Sequence, residues 1–313
     1  MIKLSKRILD KVASIYNIGK VKSAKFISGG NINYNFAVKT DKGDFIVRKL
    51  GYSLSGWWVK QKPFEFKVLD FLHKKKFPYK IPKMLRGKNG KYISKISGSL
   101  FQVYPKIKGR TVANFNSKQL KEAAKALAVY HKFIKNFPSE PEEIDDLGYA
   151  RRNYKDLRKT KIVNPVDKYM ANHLDFFEDI FKKTAKIDRN KGILIVHGDF
   201  RKNNLIFSGN KLVGIVDWEN VEWAPKTWDF VSDITDGAKA IRTFVAEYQK
   251  HNSLSSDEIR MVLPLKLLKI SEIFPWAYKG EHVKPEKRLL MLRVLVKRAK
   301  KHLALLEESW VPK

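Results

Sequence analysis

Between Ile193 and Asp217 the chain reads ILIVHGDFRKNNLIFSGNKLVGIVD, two short apolar runs that each deliver polar residues at their ends. Ile193–Val196 and Leu212–Val216 have the length and β-branched content of buried strands. The first run hands over to His197, Gly198 and Asp199, with Asn204 five residues after Asp199, and the second hands over to Asp217. A chain of this composition produces His-x-Asp-x-x-x-x-Asn by chance about 0.02 times, before any strand is required on either side. The segment therefore reads as a site built on a β-hairpin, and the remaining elements have to be arranged around it.

Upstream, Leu4, Ile8, Leu9, Val12 and Ile15 recur at helical spacing and predict an amphipathic opening helix that ends at Asn17 and Gly19. The period then changes. Lys22–Ser28, Asn31–Thr40 and Asp44–Leu50 read as three strands joined through Gly29-Gly30 and Asp41-Lys42-Gly43, an antiparallel meander. A helix is expected from Pro63 to Leu72, and strands from Lys91 to Ile96 and from Ser99 to Tyr104. Pro105 and Gly109 punctuate the chain, so a boundary is placed there, giving a lobe over 1–104 and a second over 105–313. The second lobe reads as mainly helical. Ser117–Ile134 is strongly amphipathic with Ser117 as its expected cap, and residues 231–313 read as helical pieces broken by Pro264, Pro275 and Pro285. The acidic run SEPEEIDD over 139–146 reads as a solvated loop.

Composition narrows the chemistry. The chain has no cysteine, which excludes disulfides, thiolate catalysis and cysteine-held zinc or iron–sulfur clusters. No apolar stretch is long enough to span a bilayer, and the first nineteen residues lack the apolar core of a secretory signal. A cytoplasmic protein with no membrane partner is expected. The 63 Lys+Arg against 32 Asp+Glu give a net charge of +31, and residues 1–110 alone carry 26 basic and 5 acidic side chains. Such a field attracts polyanions, nucleic acid among them. Apart from Lys74-Lys75-Lys76, however, the lysines are scattered (Lys6, Lys20, Lys42, Lys62, Lys88), and a solvated surface is the preferred reading.

The spacing of Asp199, Asn204 and Asp217 suits phosphoryl transfer. That reaction needs a base beside the acceptor hydroxyl and oxygen donors for the hard cation that neutralises a polyphosphate. Asp199 is the candidate base, Asn204 and Asp217 the candidate Mg²⁺ ligands, and His197 a brace for the loop. HGDFRKNN followed by GIVDWE resembles the superfamily of aminoglycoside kinases, choline kinases, type II homoserine kinases and methylthioribose kinases. Gly198, Trp218 and Glu219 at their positions, and the lack of Ala-Pro-Glu after Asp217, are similar to the small-molecule branch rather than to protein kinases. The opening SGGNINYNFAVKTDKGDFIVRK resembles that of the homoserine kinase-like members.

The resemblance implies a protein-kinase-like α+β fold with two lobes, a small antiparallel-sheet lobe and a mainly helical one, with ATP between them. It implies ATP-dependent phosphorylation of a small-molecule hydroxyl. It gives Ser28, Gly29, Gly30 and Asn31 the role of covering the phosphates, and Arg48, or its neighbour Lys49, that of gripping them. Glu65 would pair with that cation, Gln102 and Tyr104 would lie on the strand meeting adenine, and Asp229 would brace the catalytic loop. Glu219, Glu222, Trp223, Trp228, Asp233, Asp236 and Trp276 are further candidates for contacting an acceptor, which the residues do not identify. A protein kinase and a kinase-like fold that binds RNA or another polyanion stand as alternatives.

Overall fold

The computed structural model describes residues 3–27, 33–51, 57–139, 148–280 and 285–308. The phosphate-loop candidates Ser28, Gly29, Gly30 and Asn31 lie outside the described residues, as does nearly all of the acidic run after Ser139.

The chain opens with α1 (Lys6–Tyr16), then β1 (Val21–Ile27), β2 (Tyr34–Thr40) and β3 (Asp44–Lys49). Next come α2 (Trp57–Lys74), β4 (Ser94–Ile96) and β5 (Ser99–Pro105). The five strands form one antiparallel sheet in the order β1-β2-β3-β5-β4. One face of it, with Phe36, Val38, Phe45, Val47, Phe101 and Val103, packs on Leu9, Val12, Ala13 and Tyr16 of α1. The Tyr16 hydroxyl, which that core would otherwise strand, donates to the Phe101 carbonyl at 2.7 Å. Strand alternation sends Asn35, Arg48, Gln102 and Tyr104 to the opposite face. α2 begins at Trp57, ahead of the expected start at Pro63. Pro63 therefore sits inside the helix, where it removes its own backbone bond to the preceding turn, and the helix continues through it.

After these come α3 (Ser117–Ile134), α4 (Gly148–Arg158), α5 (Pro165–Thr184) and β6 (Ile193–Val196). A hairpin of β7 (Leu205–Ser208) and β8 (Lys211–Ile215) leads to β9 (Glu222–Pro225), α6 (Ala238–Gln249), α7 (Ser256–Lys279) and α8 (Pro285–Glu307). The cap of α3 is Asn116 rather than Ser117. Its side chain accepts the Gln119 N–H at 2.9 Å while the Gln119 side chain accepts the Asn116 N–H at 3.1 Å, so one reciprocal pair satisfies two end groups. α7 also departs from expectation, running unbroken through Pro264 and Pro275. Its buried residues, among them Leu265, Leu267, Leu268, Ile270 and Phe274, pack against α5 and α8, and Phe274 stacks on Phe177 with ring centroids 4.0 Å apart. That burial outweighs the backbone bonds the two prolines remove.

The described chain forms two compact units. One comprises Met1–Ala113 together with Asn203–Val221, and the other Asn114–Lys202 together with Glu222–Lys313. The β7–β8 hairpin thus belongs with the N-terminal sheet unit. Two glycines let it dock there. A Cβ on Gly109 (φ +136°) would come within 2.7 Å of the Phe207 carbonyl oxygen, and one on Gly214 within 2.9 Å of that of Lys80. At these points the backbones bond directly, Arg110 with Phe207 and Lys80 with both Val213 and Ile215.

Candidate active site

In the N-terminal unit the hairpin carries Asn204 at its entrance and Asp217 just past its exit. The Val216 N–H donates to the Asn204 carbonyl at 2.9 Å and ties the two ends together. Asp217 has φ +68°, a left-handed conformation that aspartate tolerates better than most non-glycine residues. Its carboxylate meets the Arg48 guanidinium, Nη2 to Oδ1, at 2.9 Å. Arg48 also lies 3.6 Å from Glu219 and donates from Nε to Asn35 at 3.0 Å. Burial opposes its charge, but Tyr104, Asp217, Glu219 and Glu65 outweigh that and hold its pKa well above the usual arginine value.

Glu219 is the hub. It accepts from Asn33 at 2.8 and 3.0 Å and from the Lys62 ammonium at 3.1 Å. Lys62 in turn pairs with Glu65 at 2.6 Å. Burial pushes the Glu65 carboxyl up, against the pull of Lys62 and Arg48. The structure therefore brings Arg48 and Asp217 together, while the direct partner of Glu65 is Lys62. That lysine, read from sequence as surface charge, is 2% exposed. Lys49 turns to the other face of β3, beside the Tyr34 ring. Gln102 and Tyr104 lie on the Arg48 face of β5, both buried, with neither polar atom of the Gln102 side chain hydrogen-bonded.

In the C-terminal unit, β6 and the loop after it are held by Asp229. One carboxylate oxygen accepts the His197 N–H at 2.8 Å and the other the Gly198 N–H at 2.9 Å. His131 of α3 adds a third contact, Nε2 to Asp229 at 3.1 Å, and its Nδ1 lies 2.8 Å from the Tyr248 hydroxyl. Burial lowers the His131 pKa, so the ring is neutral, donating from Nε2 to the carboxylate and accepting from Tyr248 at Nδ1. His197 is fully buried, and its Nδ1 accepts the Asp199 N–H at 3.3 Å. The Asp199 side chain stays 31% exposed, with the Arg201 guanidinium 4.0 Å away.

Sequence reasoning missed Lys62, Asn33, Asn35, His131 and Tyr248. Lys62 and Glu65 sit three apart on one helix, a visible signal, and His131 lies on the apolar face of α3. Among the acceptor candidates, Glu219 belongs to the Arg48 network, and Glu222 accepts from the Trp228 indole at 2.9 Å.

The buried network sets two cations, Arg48 and Lys62, against three carboxylates, Glu65, Asp217 and Glu219. It is one positive charge short, and the Glu65 Oε1 is buried without a hydrogen-bond partner. Among the described residues no three His, Cys, Asp or Glu side chains gather into a metal cage. A carboxylate and an amide oxygen flanking one hairpin suit a cation that takes its other ligands from phosphate and water.

The profile of the phosphotransferase enzyme family matches residues 23–261. The chain belongs to that family. It is 23% identical over 269 residues to the homoserine kinase of Rhizobium meliloti (strain 1021), covering 82% of this chain and 78% of that protein. It is 22% identical to the homoserine kinase of Zymomonas mobilis, where the match covers 67% of this chain and 63% of the relative, just under two thirds of its length. The fold is similar to that of a microcompartment-associated aminopropanol kinase (TM-score 0.70, 13% identity, 97% and 98% of the two chains). It is likewise similar to a spectinomycin phosphotransferase solved with ADP and spectinomycin (TM-score 0.69, 14% identity, 97% and 99%). The fold is thus the kinase-like α+β one, and the family is one of small-molecule phosphotransferases. No described helix is long and apolar enough to cross a membrane.

Proposed function

We propose that the chain transfers the γ-phosphoryl group of ATP to a hydroxyl of a small amino alcohol, with Asp199 as the base. The observation that carries this is the state of the loop. Asp199 keeps a part-exposed carboxylate on a backbone fixed at two successive N–H groups by Asp229, which is how a base is presented in a set position. ATP as donor is supported by the ADP bound in the spectinomycin phosphotransferase and by an amicoumacin kinase solved with AMP-PNP and Ca²⁺ (TM-score 0.68, 15% identity). An amino alcohol as acceptor is supported by the homoserine and aminopropanol kinases among the similar proteins.

In this reading the acceptor hydroxyl gives its proton to the Asp199 carboxylate as its oxygen bonds to the γ-phosphorus. The bond from that phosphorus to the β–γ bridging oxygen breaks, and ADP departs. Arg48, kept charged by its neighbours, holds the α- and β-phosphates, with Glu219 and Lys62 fixing its position. Asp217 and Asn204 would hold Mg²⁺, which when bound offsets the charge of the polyphosphate. Catalysis then comes from positioning and fixed charge. The test is a screen with γ-labelled ATP over amino alcohols, hydroxylated amino acids, sugars, nucleosides and aminoglycosides. Labelled product is expected from a compound carrying both an amino and a hydroxyl group. Label appearing only in protein, or RNA binding at physiological salt with no transfer to any small molecule, would overturn the reading.

A further inference from the structure

Among the described residues, the large apolar side chains that the C-terminal unit leaves exposed are Ile162, Val163, Trp276, Leu290 and Val294. They come from three separate stretches of chain: the loop ahead of α5, the last turn of α7 and the first turns of α8. Hydrogen bonds bring those stretches to one end of the helices. Asp167, in the first turn of α5, accepts the Val163 N–H at 3.0 Å with one carboxylate oxygen and the Tyr278 hydroxyl of α7 at 2.8 Å with the other. The Tyr278 carbonyl accepts from the Arg288 guanidinium of α8 at 3.2 Å, and the Arg293 guanidinium lies 5.9 Å from the centre of the Tyr169 ring on α5. Val163 is 80% exposed, Leu290 62% and Ile162 60%, so the core holds none of the three. Single apolar residues scattered over a surface need no explanation, but a group gathered at one end of a unit marks a contact surface.

Charge says what that surface meets. Lys161, Lys168, Lys287, Arg293 and Lys297 are exposed at the same end, and among the described residues none of them forms an ion pair. Further along α5, by contrast, Lys182 and Lys183 each pair with the acid four residues before them. The exposed acids near the apolar group are Glu286 and Asp156, and Asp156 is taken by Lys279 at 3.2 Å. A second copy of this chain would set cations against cations. The phosphates of a nucleic acid would leave Ile162, Val163 and Leu290 in water. An anionic bilayer answers both features, with headgroup phosphates for the cations and the acyl boundary for the aliphatic side chains.

We infer that this end of the C-terminal unit docks on the surface of an anionic lipid bilayer. Ile162, Val163 and Leu290 enter the headgroup layer, and the surrounding lysines and Arg293 meet lipid phosphates. The chain lies on the membrane in this arrangement, since no described helix is long and apolar enough to cross one. This revises the sequence expectation of no membrane partner. None of these residues has a role in the phosphoryl transfer proposed above, so the inference does not depend on that reaction.

The test is sedimentation of the full chain with vesicles of phosphatidylcholine alone and of phosphatidylcholine mixed with phosphatidylglycerol, at physiological salt. Partitioning onto the anionic vesicles is expected to be about tenfold stronger or more, since each cation near the surface adds to the attraction. A net charge of +31 by itself draws a chain toward any anionic surface, so the deciding variant leaves charge untouched. Ile162→Ser/Val163→Ser/Leu290→Ser should lower partitioning onto the anionic vesicles by about tenfold or more, because the aliphatic groups no longer leave water. Val163→Ser alone, at the most exposed of the three positions, should lower it by about threefold and decides the matter if the triple variant does not fold. Equal partitioning onto the two kinds of vesicle, or partitioning that neither variant lowers, would overturn the inference. So would a dimer in solution, broken by the triple variant, or RNA binding at physiological salt, if either occurred without binding to vesicles.

Discussion

In the N-terminal unit Arg48, Lys62, Asp217 and Glu219 are held by one another, side chain to side chain, at 2.9 to 3.6 Å. In the C-terminal unit Asp229 is held by two backbone N–H groups and a neutral imidazole. The contrast has a physical consequence. Charges that compensate each other move as a set and respond to any new charge, such as a nucleotide or a metal. A carboxylate tied to the backbone fixes the loop whether or not a ligand is present. The first arrangement suits a grip that must adjust, and the second suits a base that must stay still.

The largest effect is expected at Asp217. Asp217→Ala should abolish measurable phosphoryl transfer and weaken ATP binding in Mg²⁺, because it removes both the proposed Mg²⁺ ligand and the partner of buried Arg48. Turnover within tenfold of wild type would contradict this. Lys62→Met should come next. It leaves Glu65 and Glu219 without their ammonium and should destabilise the protein by about 3–5 kcal/mol in chemical denaturation, the cost of orphaning a buried ion pair. A loss below about 1 kcal/mol would show Lys62 to be the surface charge its sequence context suggests.

That misreading marks where sequence stops informing. The loop from His197 to Asn204 was legible because its spacing is local, and the partners of Asp229 are backbone groups that the spacing itself positions. Arg48 and Lys49 were separable only in kind, since alternation says that they face opposite ways without saying which way. The register, with Arg48 opposite Asn35 and Gln102, decides it. Lys62 and Glu219 meet across 157 residues of chain, and no periodicity reports that. α5 was missed despite the local signature of Asn164, Pro165 and Asp167 that caps it. α7 was cut at its prolines because a window of sequence cannot weigh the burial of its neighbours.

A smaller effect sharpens the C-terminal side. His131 is buried and neutral when folded, whereas in the unfolded chain it protonates below about pH 6.5. Protons therefore bind preferentially to the unfolded state, and stability should fall as pH drops from 7.5 to 5.5, by at most about 1.4 kcal/mol per pH unit for each such histidine. His302, lowered in the same direction, adds to the trend. Melting curves of the wild type and His131→Gln should show the smaller acid sensitivity in the variant, and equal slopes would remove His131 from the account. The least effect is expected at Lys49. Lys49→Ala should leave the ATP KM within about twofold, while Arg48→Ala raises it at least tenfold. The reverse ranking would mean that the grip lies on the other face of β3.

The proposed reaction depends above all on Asp199 acting as a base on a fixed loop. Steady-state transfer from γ-labelled ATP by Asp199→Asn, measured alongside its ATP affinity, tests that most directly. The expected result is a kcat reduced by about 10² to 10⁴ with nucleotide binding intact. Turnover close to that of the wild type would contradict the assignment.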